Sequence, residues 1–265
     1  MAIQDAGEKW ISANLDDHGI ATVVIDRSEK KNALDFGAWR ALAAIFASLA
    51  GNEELRAVVL ASGGPDFCAG ADIAEFDTMR GDSENARIYE AANSAAFAAI
   101  RHAPVPTIAA ISGVCFGGGF GIAAACDLRI ASRDARFAVP AARLGLAYPV
   151  DAMADIVHSV GPQLARHLTF TGASLDAEQA RAAGFLLEIV EDDPRARALE
   201  IASAIAANAP LSVRASKASI AAVLSGRREH AERAARLGDA TFASADYAEG
   251  RAAFKARRKP VFRGQ

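Results

Sequence analysis

The sequence is poor in cysteine. Cys68, Cys115 and Cys126 are the three in 265 residues, and none sits in a CxxC pair. A sparse, odd set of this kind excludes a disulfide scaffold and reads as reduced thiols in a reducing compartment. An excess of charge of one sign is also lacking. Against 29 Lys and Arg stand 32 Asp and Glu, a formal net charge of -3, which leaves no global field for nucleic acid or another polyanion. The first ten residues carry Asp5 and Glu8 and no apolar run, unlike a secretory signal. The charge-free stretch 103–126 is long enough for a membrane span, but Pro104, Pro106 and five glycines break it. It reads instead as a buried strand, a glycine loop and a small-residue helix. These absences together place the chain in the cytoplasm, with neither nucleic acid nor membrane as partner. No GxSxG elbow, HExxH pair or Walker lysine occurs, and histidines 18, 102, 158, 167 and 230 make no i, i+4 pair, so no metal site is expected.

The composition that is there, 52% hydrophobic and 23% charged, suits a globular enzyme or binding protein. Residues 10–15 and 20–25 read as strands joined by a turn at Asp17-His18-Gly19, and residues 36–50 as a helix stopped by Gly51. Strands 56–61, 106–111 and 127–131 alternate with helices 84–100 and 119–125. That order predicts an α/β layered core with mostly parallel pairing. Beyond residue 150 the pattern is helical (154–160, 162–170, 176–183, 195–208, 211–224, 227–256), interrupted by one strand at 185–190. The chain therefore divides into a core, 1–190, and a helical region, 191–265. Its last stretch holds Arg251, Lys255, Arg257, Arg258, Lys259 and Arg263 and no acid. Either it is a solvated helix end or a cationic patch for the phosphates of a ligand.

Two strand-to-helix loops carry the chemistry. Residues 63–72 contain Gly63-Gly64 and Cys68-Ala69-Gly70-Ala71-Asp72, and residues 113–121 contain Gly117-Gly118-Gly119. Small residues let backbone approach a ligand and leave N–H groups free at a helix start. Two such loops could aim one N–H each at a single oxygen, an oxyanion hole; equally, they could be tight turns and close helix packing. Gly119-Phe120-Gly121 also fits a GxGxxG/A dinucleotide signature, but no acid lies at the ribose distance, since Asp127 and Asp134 are too close.

Phe67-Cys68-Ala69-Gly70-Ala71-Asp72-Ile73 resembles the FxAGADI loop of the enoyl-CoA hydratase/isomerase (crotonase) superfamily. Ile111-Ser112-Gly113 through Gly119 is similar to its second loop, Cys126 through Ala131 to the strand that follows, and Arg27 through Leu34 to its R-P-x-x-x-N-A-L segment, with Ser28 for proline. Thr171-Gly172, the stretch 180–184 and the ending 254–262 also match, so the resemblance spans nearly the whole chain.

The resemblance implies a core of repeated ββα units, a C-terminal helical trimerisation region and a homotrimer or dimer of trimers. It implies an acyl-CoA thioester as ligand, with coenzyme A entering as part of the substrate and no permanently bound cofactor. Ala71 and Gly118 take the oxyanion-hole positions. Arg27, Ala33, Ala69, Gly70, Asp72 and Ile73 take CoA-binding positions, and Lys255 belongs to the part that can supply cations to CoA phosphates. Two positions depart from the pattern. Hydratases of this family carry glutamates where this chain has Gly121 and Ala141, the latter after Phe137-Ala138-Val139-Pro140. Neither can exchange a proton, so standard hydration is not expected. Replacements could come from Asp151 and Tyr148, with helix N-capping and core packing as the alternatives for each. Asp72 is read as a helix cap and Asp127 as a support of the second loop. The leading expectation is an acyl-CoA-processing enzyme with a changed acid/base set. A non-catalytic acyl-CoA-binding homologue is the alternative, and a dinucleotide-dependent oxidoreductase the remaining one.

Overall fold

A computed structural model gives the protein's structure and describes residues 2–3 and 9–265. Strands β1 (Ala2–Ile3), β2 (Ile11–Leu15), β3 (Ile20–Ile25), β4 (Ala57–Ser62), β5 (Thr107–Ile111), β6 (Val114–Phe116), β7 (Leu128–Ser132), β8 (Arg136–Ala138), β9 (Ser174–Asp176) and β10 (Glu188–Val190) form two sheets. The larger runs β1-β2-β3-β4-β5-β7-β10, antiparallel through β3 and parallel from there on. The smaller, β6-β8-β9, was not foreseen. Its strands are three residues each, too short to leave a periodic signature.

The helices are α1 (Phe36–Ala50), α2 (Phe76–Met79), α3 (Ser83–Arg101), α4 (Gly118–Ala125), α5 (Val150–Thr171), α6 (Ala177–Ala182), α7 (Pro194–Ala206), α8 (Pro210–Ser225), α9 (Arg228–Phe242) and α10 (Ala245–Ala256). Alternation along the central strands sorts side chains to two faces. Val23, Val58, Leu60 and Ala109 face the main core with Trp39, Phe46, Phe97 and Phe120. Val59, Ala61, Ile108 and Ala110 face Ala198 and Ala202 of α7. Thus α7, the helix expected at 195–208 and lying beyond residue 190, covers the back of the core sheet.

Three expected elements differ in extent. The strand at 185–190 shrinks to β10, because Phe185 turns inward and stacks on Phe120 with ring centres 4.5 Å apart. The helix at 227–256 breaks at Ser244, whose hydroxyl accepts from the Tyr247 N–H and starts α10. The two helices expected at 154–160 and 162–170 are the halves of α5, separated at Gly161 (φ 76°) before Pro162. Among the described residues, no helix is long and apolar enough to cross a membrane.

Candidate active site

The two glycine loops meet, and Asn32 holds them. Fully buried and in the left-handed region (φ 56°), Asn32 donates from Nδ2 to the carbonyls of Gly63 (2.8 Å) and Asp66 (2.6 Å), and its Oδ1 accepts from the Arg27 N–H (2.6 Å). Asp66 Oδ1 in turn accepts from the Val114 N–H at 2.8 Å. A short ladder follows, Phe67 N to Ser112 O, Cys68 N to Val114 O and Phe116 N to Cys68 O. Removing the Asn32 amide orphans at least three backbone groups. Asn32→Ala should therefore lose about 3 kcal/mol or more of unfolding free energy, measured by chemical denaturation.

The ladder leaves two N–H groups over. Leu34 bonds to Gly70 O and to Asp72 N, both at 2.8 Å, so the peptide N–H of Ala71 between them points the other way. Gly118 is the first residue of α4, where an N–H has no intrahelical acceptor. Among the described residues no acceptor takes either group. Closeness is set by Gly70 (φ +101°): a Cβ there would lie 2.9 Å from Gly118 N. Two adjacent free donors, one at a helix start, can hold one partly negative oxygen.

Both line a cavity of about 700 Å³, counting its mouth, walled mostly by apolar groups from Ala69, Ile73, Phe76, Phe97, Leu144 and Leu146. Ala141 lines it too and is half-buried. Gly121 is buried, and a Cβ there would lie 2.7 Å from Phe97 Cζ. A phenyl ring fills the space beside the position where the family pattern has a carboxylate. A Cβ on Gly119 would lie 2.1 Å from Cys68 O. Both glycines of the GxGxxG match are thus taken up by packing inside α4, which removes the basis of the dinucleotide reading.

Tyr148 lines the cavity, its hydroxyl 3.7 Å from where a Gly117 Cβ would stand. Burial, reinforced by the nearby Glu90 charge, pushes its phenol well up and keeps it a neutral donor. Asp151 does not line the cavity. It stands in the first turn of α5 without capping it, and is engaged by Ser94 Oγ (3.3 Å) and Arg101 (3.8 Å) on the α3 side. The carboxylate that lines the cavity is Glu90 on α3, paired to Arg80 Nη2 at 2.8 Å. Burial raises its pKa above the ordinary carboxylate value despite Arg80. Sequence reading did not single out Glu90, Arg80 or Asn93: Glu90 and Asn93 fall inside the helix expected at 84–100 with no motif around them, and Arg80 lies before it.

Of the remaining candidates, Ala69 and Ile73 line the cavity, and Arg27, Ala33, Gly70 and Asp72 do not. Arg27 pairs with Asp72 (3.0 Å) and Asp35 (3.5 Å) and donates to Ala33 O (3.2 Å), so its charge is already matched. Asp72 does cap, accepting from Ala74 N at 3.1 Å. Ala33 and Gly70 are buried, and Ile73 is 59% exposed. Lys255 is exposed in the last turn of α10 and does not line the cavity. Asp127 does not support the second loop. It accepts from Thr107 N (2.7 Å) and pairs with Lys217 (2.7 Å), pinning the start of β5. The thiols are inert: burial pushes Cys68 and Cys126 up to about 12 and Cys115 well above its usual value.

Comparison with known proteins adds the following. A family model described as enoyl-CoA hydratase/isomerase matches residues 16–265. A short-chain-enoyl-CoA hydratase of Clostridium acetobutylicum is 33% identical over 203 residues, 76% of this chain and 77% of that one. A mitochondrial methylglutaconyl-CoA hydratase of Mus musculus is 28% identical over 94% of this chain and 81% of its own. A crystal structure titled enoyl-CoA hydratase/carnithine racemase, from Magnetospirillum magneticum, superposes with a TM-score of 0.89 at 35% identity, covering 98% of this chain and 97% of that one.

Proposed function

The chain belongs to the enoyl-CoA hydratase/isomerase family, whose members process acyl-CoA thioesters, and from that premise we propose that it catalyses proton transfer at the α-carbon of an acyl-CoA through a stabilised enolate. The observation that carries this is the pair of unpaired N–H groups of Ala71 and Gly118 on an apolar cavity. The thioester oxygen accepts from both. As the α C–H bond breaks, its electron pair moves into the C–C–O system, and the two donors strengthen on the growing negative charge. The proton goes to Glu90, the carboxylate lining the cavity, and returns to the same carbon or to the γ-carbon of an enoyl chain. The result is exchange or double-bond isomerisation. Tyr148, held neutral, donates a hydrogen bond beside the oxyanion. Asp151 enters this reading only from outside the cavity lining, through Arg101.

Water addition is disfavoured, because Gly121 and Ala141 hold no proton-transfer group and Phe97 fills the first position. The same substitutions favour the second reading, an acyl-CoA-binding homologue without turnover. In either case coenzyme A is part of the ligand. The proposal assigns that part of the ligand to Arg27, Ala33, Ala69, Gly70, Asp72, Ile73 and Lys255, of which Ala69 and Ile73 line the cavity. A homotrimer or dimer of trimers belongs to the proposal, supported by the exposed Val223, Phe242 and Phe254 on the helical region and Phe170 on α5.

Incubation with 2-enoyl-, 3-enoyl- and saturated acyl-CoAs in deuterated water, read by mass spectrometry, tests the reading. Deuterium is expected at the α-carbon. Because the working form of Glu90 is ionised and its pKa is raised, the rate should climb with pH through a midpoint above the usual carboxylate range. Glu90→Gln should lower it by about 10²-fold or more and flatten the profile. A thioester that binds yet takes up no deuterium would establish the binding-protein reading instead.

A further inference from the structure

Tyr89 precedes Glu90 on α3, is fully buried and does not line the cavity. It nevertheless touches what holds each half of the site. Its hydroxyl donates to Leu34 O at 3.2 Å. The same carbonyl accepts from Asp72 N, and Leu34 N donates to Gly70 O, each at 2.8 Å. Leu34 thus grips the residues on either side of Ala71, whose N–H faces the cavity. With two donors on it, both lone pairs of that carbonyl are used. Burial pushes the Tyr89 phenol well up, so it stays a neutral donor.

The ring holds the other half. Arg80, just past α2, is clamped between two rings, its Cζ 4.2 Å from the centre of Tyr89 and 4.3 Å from that of Phe76. Arg80 Nη2 in turn reaches the Glu90 carboxylate at 2.8 Å. The Tyr89 ring also packs on Phe36 and Phe76, with centres 5.9 and 6.2 Å away. Proton transfer at carbon needs the thioester oxygen on its donors and the base at the C–H bond together, and a misplacement of about 1 Å can cost about 10²-fold.

We propose that Tyr89 is a positioning residue that keeps the Ala71 donor and the Glu90 carboxylate in register, its hydroxyl holding the first through Leu34 and its ring holding the second through Arg80. This rests on the proton-transfer reading above and names what aligns its two groups. The two grips are separable: Tyr89→Phe keeps the ring and loses the hydroxyl, and Tyr89→Leu loses both. Without the ring, one face of the clamp is gone and Arg80 swings away from Glu90. The carboxyl then loses the cation that opposes its burial, and its ionised form appears only at higher pH. Of the other titratable groups near it, Tyr148 from the segment before α5 stays neutral, and Arg87 on α3 is exposed. Arg80 is therefore the charge that decides.

Deuterium exchange into the saturated and enoyl thioesters, followed across the native pH profile and expressed per folded molecule, tests this. Tyr89→Phe should lower kcat about tenfold, with KM within about twofold and the midpoint unchanged. Tyr89→Leu should lower kcat at least as far and move the midpoint up in pH. A purely structural role would lower the melting temperature and leave kcat per folded molecule and the midpoint native in both variants. Should Tyr89→Leu fail to fold, Arg80→Gln, which removes the same cation, should raise the midpoint in its place. Native kcat in Tyr89→Phe, or a native midpoint in the variant that frees or removes Arg80, overturns the inference and leaves the proton-transfer reading standing. No exchange by the native protein overturns both.

Discussion

Gly70→Ala is expected to cut α-proton exchange by about 10²–10³-fold, the range for losing one oxyanion donor. The reason is positional. Gly70 sits at φ +101°, and its added methyl would stand 2.9 Å from Gly118 N and 3.0 Å from Phe116 O. The methyl therefore occupies the space in front of the Gly118 donor and wedges apart the loops that Asn32 and the Phe67–Cys68 ladder hold together. Backbone strain alone would cost about 1–2 kcal/mol, so a control with strain but no obstruction is needed. Gly184 supplies it: φ is +80°, and nothing lies within 4 Å of its added Cβ. Gly184→Ala should lower the melting temperature comparably and leave the per-molecule exchange rate unchanged within a few-fold. Exchange by Gly70→Ala at the native rate, with native melting, would sink the assignment of the oxyanion to Ala71 and Gly118.

The loops that make this prediction possible were largely readable from residue types. Glycines at 70, 117 and 118 between a buried strand and a helix leave few alternatives to close backbone approach, and the order of strands β3, β4, β5 and β7 followed from apolar runs bounded by breakers. What stayed hidden was whatever depended on a neighbour distant in sequence. Asp151 had the right type and place along the chain, but Arg101 and Ser94, fifty or more residues away, hold it outside the cavity lining. Glu90 had no motif at all; it matters because Arg80, the Phe76 and Tyr89 rings and the cavity converge on it. Asp127 looked tied to the loop next to it and instead pins β5 and pairs with Lys217 on α8. Local pattern fixes where backbone donors lie, because turns and helix starts are local. Side-chain electrostatics are set by tertiary neighbours, and one sequence does not display those.

The other large effect concerns the missing carboxylates. Gly121→Glu alone should not create a hydratase and should instead cripple the fold. Its Cβ would press on Phe97 Cζ at 2.7 Å, and Phe97 is 2% exposed with its ring edge-on to Trp39, centres 5.5 Å apart. Trp39 cannot yield, since it is fully buried and already against Gly118, where a Cβ would stand 2.8 Å from its ring. Overpacking costs about 1–3 kcal/mol, and burying a carboxyl without a partner adds about 2 kcal/mol or more. The sum, about 4 kcal/mol, is a large part of ordinary domain stability and corresponds to a melting temperature lower by about 10 °C or more. Removing the ring changes the balance. In Phe97→Ala/Gly121→Glu/Ala141→Glu, the new carboxylate at 121 takes the ring's volume near the start of α4, where the helix favours negative charge. The one at 141 enters from a half-buried position already lining the cavity. With both carboxylates beside Ala71 and Gly118, crotonyl-CoA hydration, followed by loss of the enoyl absorbance, should rise by about 10²-fold or more over the native protein. A folded triple variant that binds crotonyl-CoA and adds no water would show that the oxygen does not sit on these two donors. A Gly121→Glu single variant that hydrates at native stability would show that Phe97 is not what keeps the carboxylate out. Between these outcomes lies the reading argued above: the enolate-holding half of the site is kept, and a phenyl ring stands where a water-activating group would have to be.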